Sequence, residues 1–171
     1  RLYPFFDRTL IADSYSCRLG GGTHKAVNRF HDYSLKASRN NTETCWALKG
    51  DIRKFFASVD HKILKDILAE HIVDEDVLGL LSQVIGNFNT NNIIGTGLPL
   101  GNLTSQLLVN IYMNEFDQFA KRKLKIKHYI RYANDFVILH ENRNYLARIV
   151  VEISAFLENR LKLSLHPDKV F

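Results

Sequence analysis

The stretch Leu48-Lys49-Gly50-Asp51-Ile52-Arg53-Lys54-Phe55-Phe56-Ala57-Ser58-Val59-Asp60-His61 decides how the rest of the chain is read. An apolar run, Trp46-Ala47-Leu48, leads into a single acidic residue, Asp51. Two aromatics follow, and a new amphipathic stretch starts at Asp60. A lone carboxylate at the end of a buried strand is costly unless a cation offsets it. That cation is either a side chain or a metal ion. A second carboxylate able to share it stands in Tyr132-Ala133-Asn134-Asp135.

Working outward, the periodicity predicts a strand over 44–52 carrying Asp51 near its end. Asp60 caps a helix with Ile63, Leu64, Ile67 and Leu68 on one face, and Asp74 caps another with Val77, Leu78, Leu81, Val84, Ile85 and Phe88. Upstream, Gly20-Gly21-Gly22 forms a flexible turn, Thr23 is an N-cap, and Ala26, Val27 and Phe30 stripe a helix from His24. The glycines are a plain turn or a phosphate cradle flanked by Arg18 and Lys25. Downstream, a polar loop at 89–97 runs into Gly97-Leu98-Pro99-Leu100-Gly101-Asn102-Leu103-Thr104-Ser105-Gln106, a tight path before a long helix over 103–124 capped by Asn102. The basic run Lys121, Arg122, Lys123, Lys125 and Lys127 reads as a solvated helix end suited to the helix dipole.

Two β-rich runs around Ala133-Asn134-Asp135 read as a hairpin, with Asn and Asp suited to left-handed turn positions. A helix over 142–161 and a short strand at 163–165 close the order. This succession is an α+β pattern, an antiparallel sheet with helices packed on one face.

At 171 residues the chain is one domain or a piece of one, and 46% hydrophobic with 11% aromatic content places it among folded rather than disordered sequences. A net charge of +5 suits a polyanionic partner as well as it suits an ordinary basic protein. Cys17 and Cys45 lack the spacing of a zinc site or a disulfide framework, which favours a reducing, cytoplasmic setting. No apolar run approaches the roughly 20 residues of a membrane span. There is no signal-peptide pattern, and Arg1 in place of Met points to an excised fragment.

If the Asp51 strand and the hairpin are neighbours, Asp51 and Asp135 meet at one edge of the sheet. Carboxylates so placed suit Mg²⁺, and a pair of such ions about 3.5–4 Å apart clamps the attacking and leaving oxygens of a phosphoryl transfer. Taken singly, a strand-end Asp is a cap and a hairpin Asn-Asp is a turn; the combination carries the reading.

The chain resembles the fingers–palm part of a reverse transcriptase, of the bacterial kind found in diversity-generating retroelements and related to group II intron enzymes. Four blocks carry the resemblance, in the family's order: Asp13-Ser14-Tyr15-Ser16-Cys17-Arg18 through Gly22-Thr23-His24-Lys25-Ala26; Asp51 through His61; Gly97 through Gln106; and Arg131-Tyr132-Ala133-Asn134-Asp135-Phe136. Leu163-Ser164-Leu165-His166-Pro167-Asp168-Lys169 is similar to the next palm block. The resemblance implies partial fingers over 1–43 and a palm of ferredoxin/RRM-like core over 44–171, with no thumb. It implies an RNA-directed DNA polymerase of bacterial cytoplasm that uses Mg²⁺, or Mn²⁺, with an RNA template, a DNA primer and dNTPs. A nucleic-acid-binding scaffold with weakened catalysis and a group II intron maturase are the alternatives.

Carried onto this chain, the resemblance makes Asp51, the Ile52 carbonyl, Asn134 and Asp135 the metal-binding set, and Asp51, Asn134 and Asp135 the catalytic positions. Phe56 becomes the aromatic gate against a ribose 2′-OH. Arg18 and Lys25 become triphosphate contacts, and Leu100, Gly101 and Gln106 line the nucleotide and template side. The chain departs from the family at two points. Leu100 stands where many relatives carry Gln, which implies looser base selection. Asn134 stands in the first Asp position of Tyr-x-Asp-Asp, which implies weaker metal binding.

Overall fold

The computed structural model describes residues 2–88 and 94–167. In chain order the elements are α1 (Leu2–Asp7), α2 (Thr23–Ala37), β1 (Trp46–Asp51), α3 (Phe55–Ser58), α4 (His61–Ala69), α5 (Glu75–Gly86), α6 (Leu103–Gln118), β2 (His128–Tyr132), β3 (Asp135–His140) and α7 (Arg143–Leu161). A π-helical turn over Phe119–Lys123 continues α6.

Two of the caps form where the local sequence predicts them, at Asp60 and Asp74, and Asn142 adds a third. The Asp60 side chain accepts from the backbone N–H groups of Lys62 and Ile63, Asp74 accepts from those of Asp76 and Val77, and Asn142 accepts from that of Tyr145. Two caps differ. Asn102 precedes α6 without a side-chain capping bond. Thr23 is the first residue of α2, with Gly22 at φ 101 as its cap. The Thr23 hydroxyl is directed elsewhere and donates to the Tyr132 hydroxyl at 3.2 Å.

The sheet is antiparallel, in the order β1-β3-β2. On one face Leu48, Ile138 and Tyr129 line up across the strands, followed by Gly50, Phe136 and Arg131. This face meets α6 and α7, and Phe116 packs edge-on against both Tyr129 and Phe136. Gly50 is required there because a Cβ would drive into the Phe136 ring.

The opposite face carries Asp51, Asp135 and Tyr132 at one end and Ile130, Val137 and Leu139 farther along. α6 and α7 cover the first face as expected, and α2 is an addition on the second. Tyr33 and Ala37 pack on Ile130 and Leu139, because those β2 and β3 positions make the second face apolar as well. The stripe Ala26, Val27 and Phe30 does not close down. Val27 is 59% and Phe30 40% exposed, and together they edge an open cavity of about 260 Å³ against the sheet.

The predicted strand at 163–165 reduces to one bridge, Ile52 to Leu165, on the outer edge of β1. The predicted loop at 89–97 lies partly outside the described residues, as do Asp168 and Lys169 of the closing block.

Candidate active site

The register of the sheet builds the site. Asp51 ends β1 directly opposite Asp135, which opens β3, and Tyr132 at the end of β2 faces Asp135 from the other side. Directly paired residues share a face, so both carboxylates project to the same side. Asp51 is 8% exposed and Asp135 half-buried. The Asn134 side chain, from the turn before Asp135, donates from Nδ2 to Asp51 Oδ1 at 2.6 Å. The outer edge of β1 is tied down as well. His166 N–H donates to the Asp51 carbonyl at 2.8 Å, and Arg53 N–H to the Ser164 carbonyl at 2.9 Å. In this bonding pattern Ile52 is the residue whose own peptide groups stay out of the ladder with 163–165.

The two-residue turn is set from beneath. The left-handed residue is Ala133 at φ 54, not Asn134 or Asp135 as predicted. Such an angle is unfavourable for alanine, and a buried arginine holds it there. Arg131, 0% exposed, donates from Nη1 to the Ala133 carbonyl at 2.9 Å. Its other donors grip Asp117, Nε to Oδ1 at 2.8 Å and Nη2 to Oδ2 at 2.7 Å, and Tyr129 donates its hydroxyl to Asp117 Oδ1 at 2.6 Å. Burial opposes the charge on Arg131, but the Asp117 carboxylate outweighs it and holds the guanidinium above its ordinary value. Asn110 joins this group, accepting from Arg131 and donating to the Ser16 carbonyl. Sequence reasoning assigned no role to Asn110, Asp117 or Arg131. A signal was present: Asn110, Asn114 and Asp117 are polar residues at helical spacing on the buried side of α6.

The remaining predicted residues fall into two groups. Leu98 N–H donates to the Phe56 carbonyl at 2.8 Å and Gly97 N–H to the Val59 carbonyl at 2.8 Å, so the glycine-proline loop is laced to the segment that follows Asp51. Phe56 packs edge-on against Phe55. Leu100 is 76% exposed beyond that lacing, and Gly101 takes φ 87 before α6. Gln106 lies apart from Leu100, in a cavity of about 410 Å³ between α6, α1 and Cys17. Arg18 is turned inward. It donates to the Asp7 carboxylate at 2.8 Å and to the carbonyls of Asp7, Ile11 and Ser14. Its guanidinium is thereby committed to holding the loop before α2, whereas Lys25 is exposed beside Gly20.

The profile of the reverse transcriptase (RNA-dependent DNA polymerase) family matches residues 1–171. The chain belongs to the reverse transcriptase family. It is 28% identical to Protein YkfC of Escherichia coli K12 over 97% of this chain and 52% of that protein. It is 30% identical to a 91 kDa protein in a cob intron of Schizosaccharomyces pombe, over 63% of this chain and 13% of that one. The chain thus spans about half the length of YkfC and a smaller part of the intron protein. The apo telomerase of Candida tropicalis has a similar fold, with a TM-score of 0.70 over 97% of this chain and 34% of that one at 11% identity.

The oxygens here that could hold a divalent cation are the Asp51 and Asp135 carboxylates, the Ile52 carbonyl and, after a flip of the amide, the Asn134 amide oxygen. Hard oxygen donors with one or two carboxylates suit Mg²⁺, which keeps several of its waters. Among the described residues no three or more His, Cys, Asp or Glu side chains are grouped so as to hold a metal ion. No helix among the described residues is long and apolar enough to cross a membrane.

Proposed function

We propose that this chain is the fingers–palm portion of an RNA-directed DNA polymerase of the retroelement and intron-encoded kind, joining dNTPs to a primer 3′-hydroxyl on an RNA template. The observation that carries the reading is the direct cross-strand pairing of Asp51 and Asp135 with Asn134 at the turn between β2 and β3. Bound Mg²⁺ or Mn²⁺ supplies Lewis acidity for the primer hydroxyl and the leaving pyrophosphate. The chain's own part is to hold carboxylate oxygens on one side of a rigid sheet edge. Arg131 fixes the turn, Phe56 stands at the position of a ribose gate, and Lys25 remains the exposed triphosphate contact. Arg18 leaves that set because Asp7 and three carbonyls engage it.

A second reading is favoured by one observation. The Asn134 amide presents its nitrogen to Asp51, so a neutral donor engages an oxygen of the carboxylate that would hold a cation. On that reading the protein is a nucleic-acid-binding scaffold with weakened catalysis. Primer extension on an RNA template with Mg²⁺ or Mn²⁺, comparing the full-length natural protein with Asn134→Asp, separates the two. Extension that rises in Asn134→Asp and disappears in Asp51→Asn supports the polymerase. Template–primer binding without extension in any form overturns it.

A further inference from the structure

The strands lead away from Asp51 and Asp135 to a second feature. β3 ends at His140, roughly 17 Å along the strand from Asp135 at about 3.4 Å per residue. At that end, on the face that α2 packs against, lies a cavity of about 290 Å³ lined by Lys36, Lys125, Lys127, His128 and His140, with Glu141 as its single carboxylate. Three lysines line it beside one glutamate, and among the described residues none of the three has an acidic partner in an ion pair. Lys121 next to them differs in this respect, being paired with Asp13 at 3.0 Å.

The backbone is shaped to bring these charges together. α6 ends in the π-helical turn, a form that recurs at functional sites, and Lys125 then takes a left-handed φ of 53. Lys121 donates from Nζ to the Lys127 carbonyl at 3.1 Å, which holds the returning segment. His128 lies beside these groups. Burial, with the positive charges of Lys121 and Lys36, holds its imidazole below the ordinary range although a bond with the Leu139 backbone opposes the shift. Three lysines against one glutamate leave an excess of positive charge that an anion would relieve.

We propose that this cavity is a phosphate site that takes the backbone of a single nucleic-acid strand. The surroundings favour a strand over a free phosphate, because an aromatic pair, His140 and Tyr145, lines the cavity beside its lysines. His140 stacks on Tyr145 with ring centroids at 4.1 Å, and Arg148 lies over the Tyr145 ring at 5.6 Å. Phosphate-binding cations interleaved with stacking surfaces are the general means of holding single strands. The choice of nucleic acid rests on the reading of the chain as a reverse transcriptase portion; the cavity and its charge do not.

The test is fluorescence anisotropy of the full-length natural protein with a labelled single-stranded RNA across a salt series. The triple variant Lys36→Gln, Lys125→Gln, Lys127→Gln loses at least tenfold in affinity at low salt. Its slope of log K against log salt falls by about 2, since each phosphate contact on a single strand contributes roughly 0.7. Lys62→Gln with Lys65→Gln, on α4, leaves affinity and slope unchanged. An unchanged slope in the triple variant, or an equal loss in the α4 variant, overturns the proposal. In a parallel arm, inorganic phosphate is titrated against the His128 and His140 imidazole resonances. Shifts in that arm with RNA affinity intact in the triple variant identify a free-phosphate site and overturn the strand. Primer extension by the same proteins keeps the two readings apart: if none extends a primer, the polymerase reading fails while the anisotropy result still stands.

Discussion

Gly50 and Asn134 show how single residues set the geometry around Asp51. Gly50 pairs with Phe136 across β1 and β3, one residue from both carboxylates, and the ring fills the space a side chain would need. Gly50→Ala is therefore expected to lower stability by about 1–3 kcal/mol through overpacking, read as a shift in the urea midpoint at unchanged m-value. Combining it with Phe136→Leu should recover part of the loss, and strict additivity would argue against the clash. Asn134 offers Asp51 a neutral donor at 2.6 Å. In Asn134→Asp two carboxylates meet there, which destabilises the metal-free protein by about 4 kcal/mol if they relax to roughly 4 Å at an effective dielectric near 20. The variant should melt below the parent in EDTA and regain the difference on addition of MgCl₂. Equal melting temperatures in EDTA would show that the amide relieves no repulsion.

The elements that carry the site depend on one buried ion pair. Arg131 lies on β2 and Asp117 on α6, both fully buried, and their bonds reach the turn through the Ala133 carbonyl. Removing one partner leaves a charge without compensation in the core, so Asp117→Asn is expected to cost about 3–5 kcal/mol. Arg131→Met with Asp117→Leu should cost less than the sum of the single changes, because it removes both charges together. Arg131→Lys should not rescue the turn, since a point ammonium cannot serve Asp117, Asn110 and Ala133 in one plane. Additive losses in chemical denaturation would sink this account of how α6 and the β2–β3 turn are coupled.

Across the molecule, Asp13 joins the N-terminal segment to the sheet. Its carboxylate accepts from Arg29 and Tyr33 on α2 and pairs with Lys121 after α6, while its carbonyl accepts from Arg131 N–H. Burial works to raise the Asp13 carboxyl, but the bonds from Arg29, Lys121 and Tyr33 outweigh it and hold it below the usual carboxylate range. A group whose pKa is lower in the folded state stabilises the fold above its unfolded value, about 3.9. That contribution is lost as pH falls through the folded value. Stability should therefore drop below about pH 4, and Asp13→Asn should flatten that limb while lowering the plateau. Asp60, held low by Lys162 and by its capping bonds against burial, adds a loss of the same sign. Thermal melts from pH 3 to pH 7 read both effects.

Much of the fold was legible locally. The caps at Asp60 and Asp74, the strand into Asp51 and the hairpin before Asp135 depend on residues only a few positions apart, where side-chain chemistry and periodicity act directly. The four blocks and their order also stood in the sequence, and the profile of the reverse transcriptase family matches the whole chain. Other features were invisible there because they depend on register and packing between distant segments. The Asn134 bond to Asp51 spans 83 residues, and its donor orientation follows from a left-handed Ala133 held by a buried arginine. Arg18 looked free for phosphate until the loop folded its guanidinium onto Asp7. The basic run after α6 looked like a solvated helix end until the π-helical turn brought Lys125 and Lys127 beside Lys36. Sequence alone determined which residue types stand at the sheet edge. Tertiary structure decided which of them touch, because burial and strand register select partners that separation along the chain conceals.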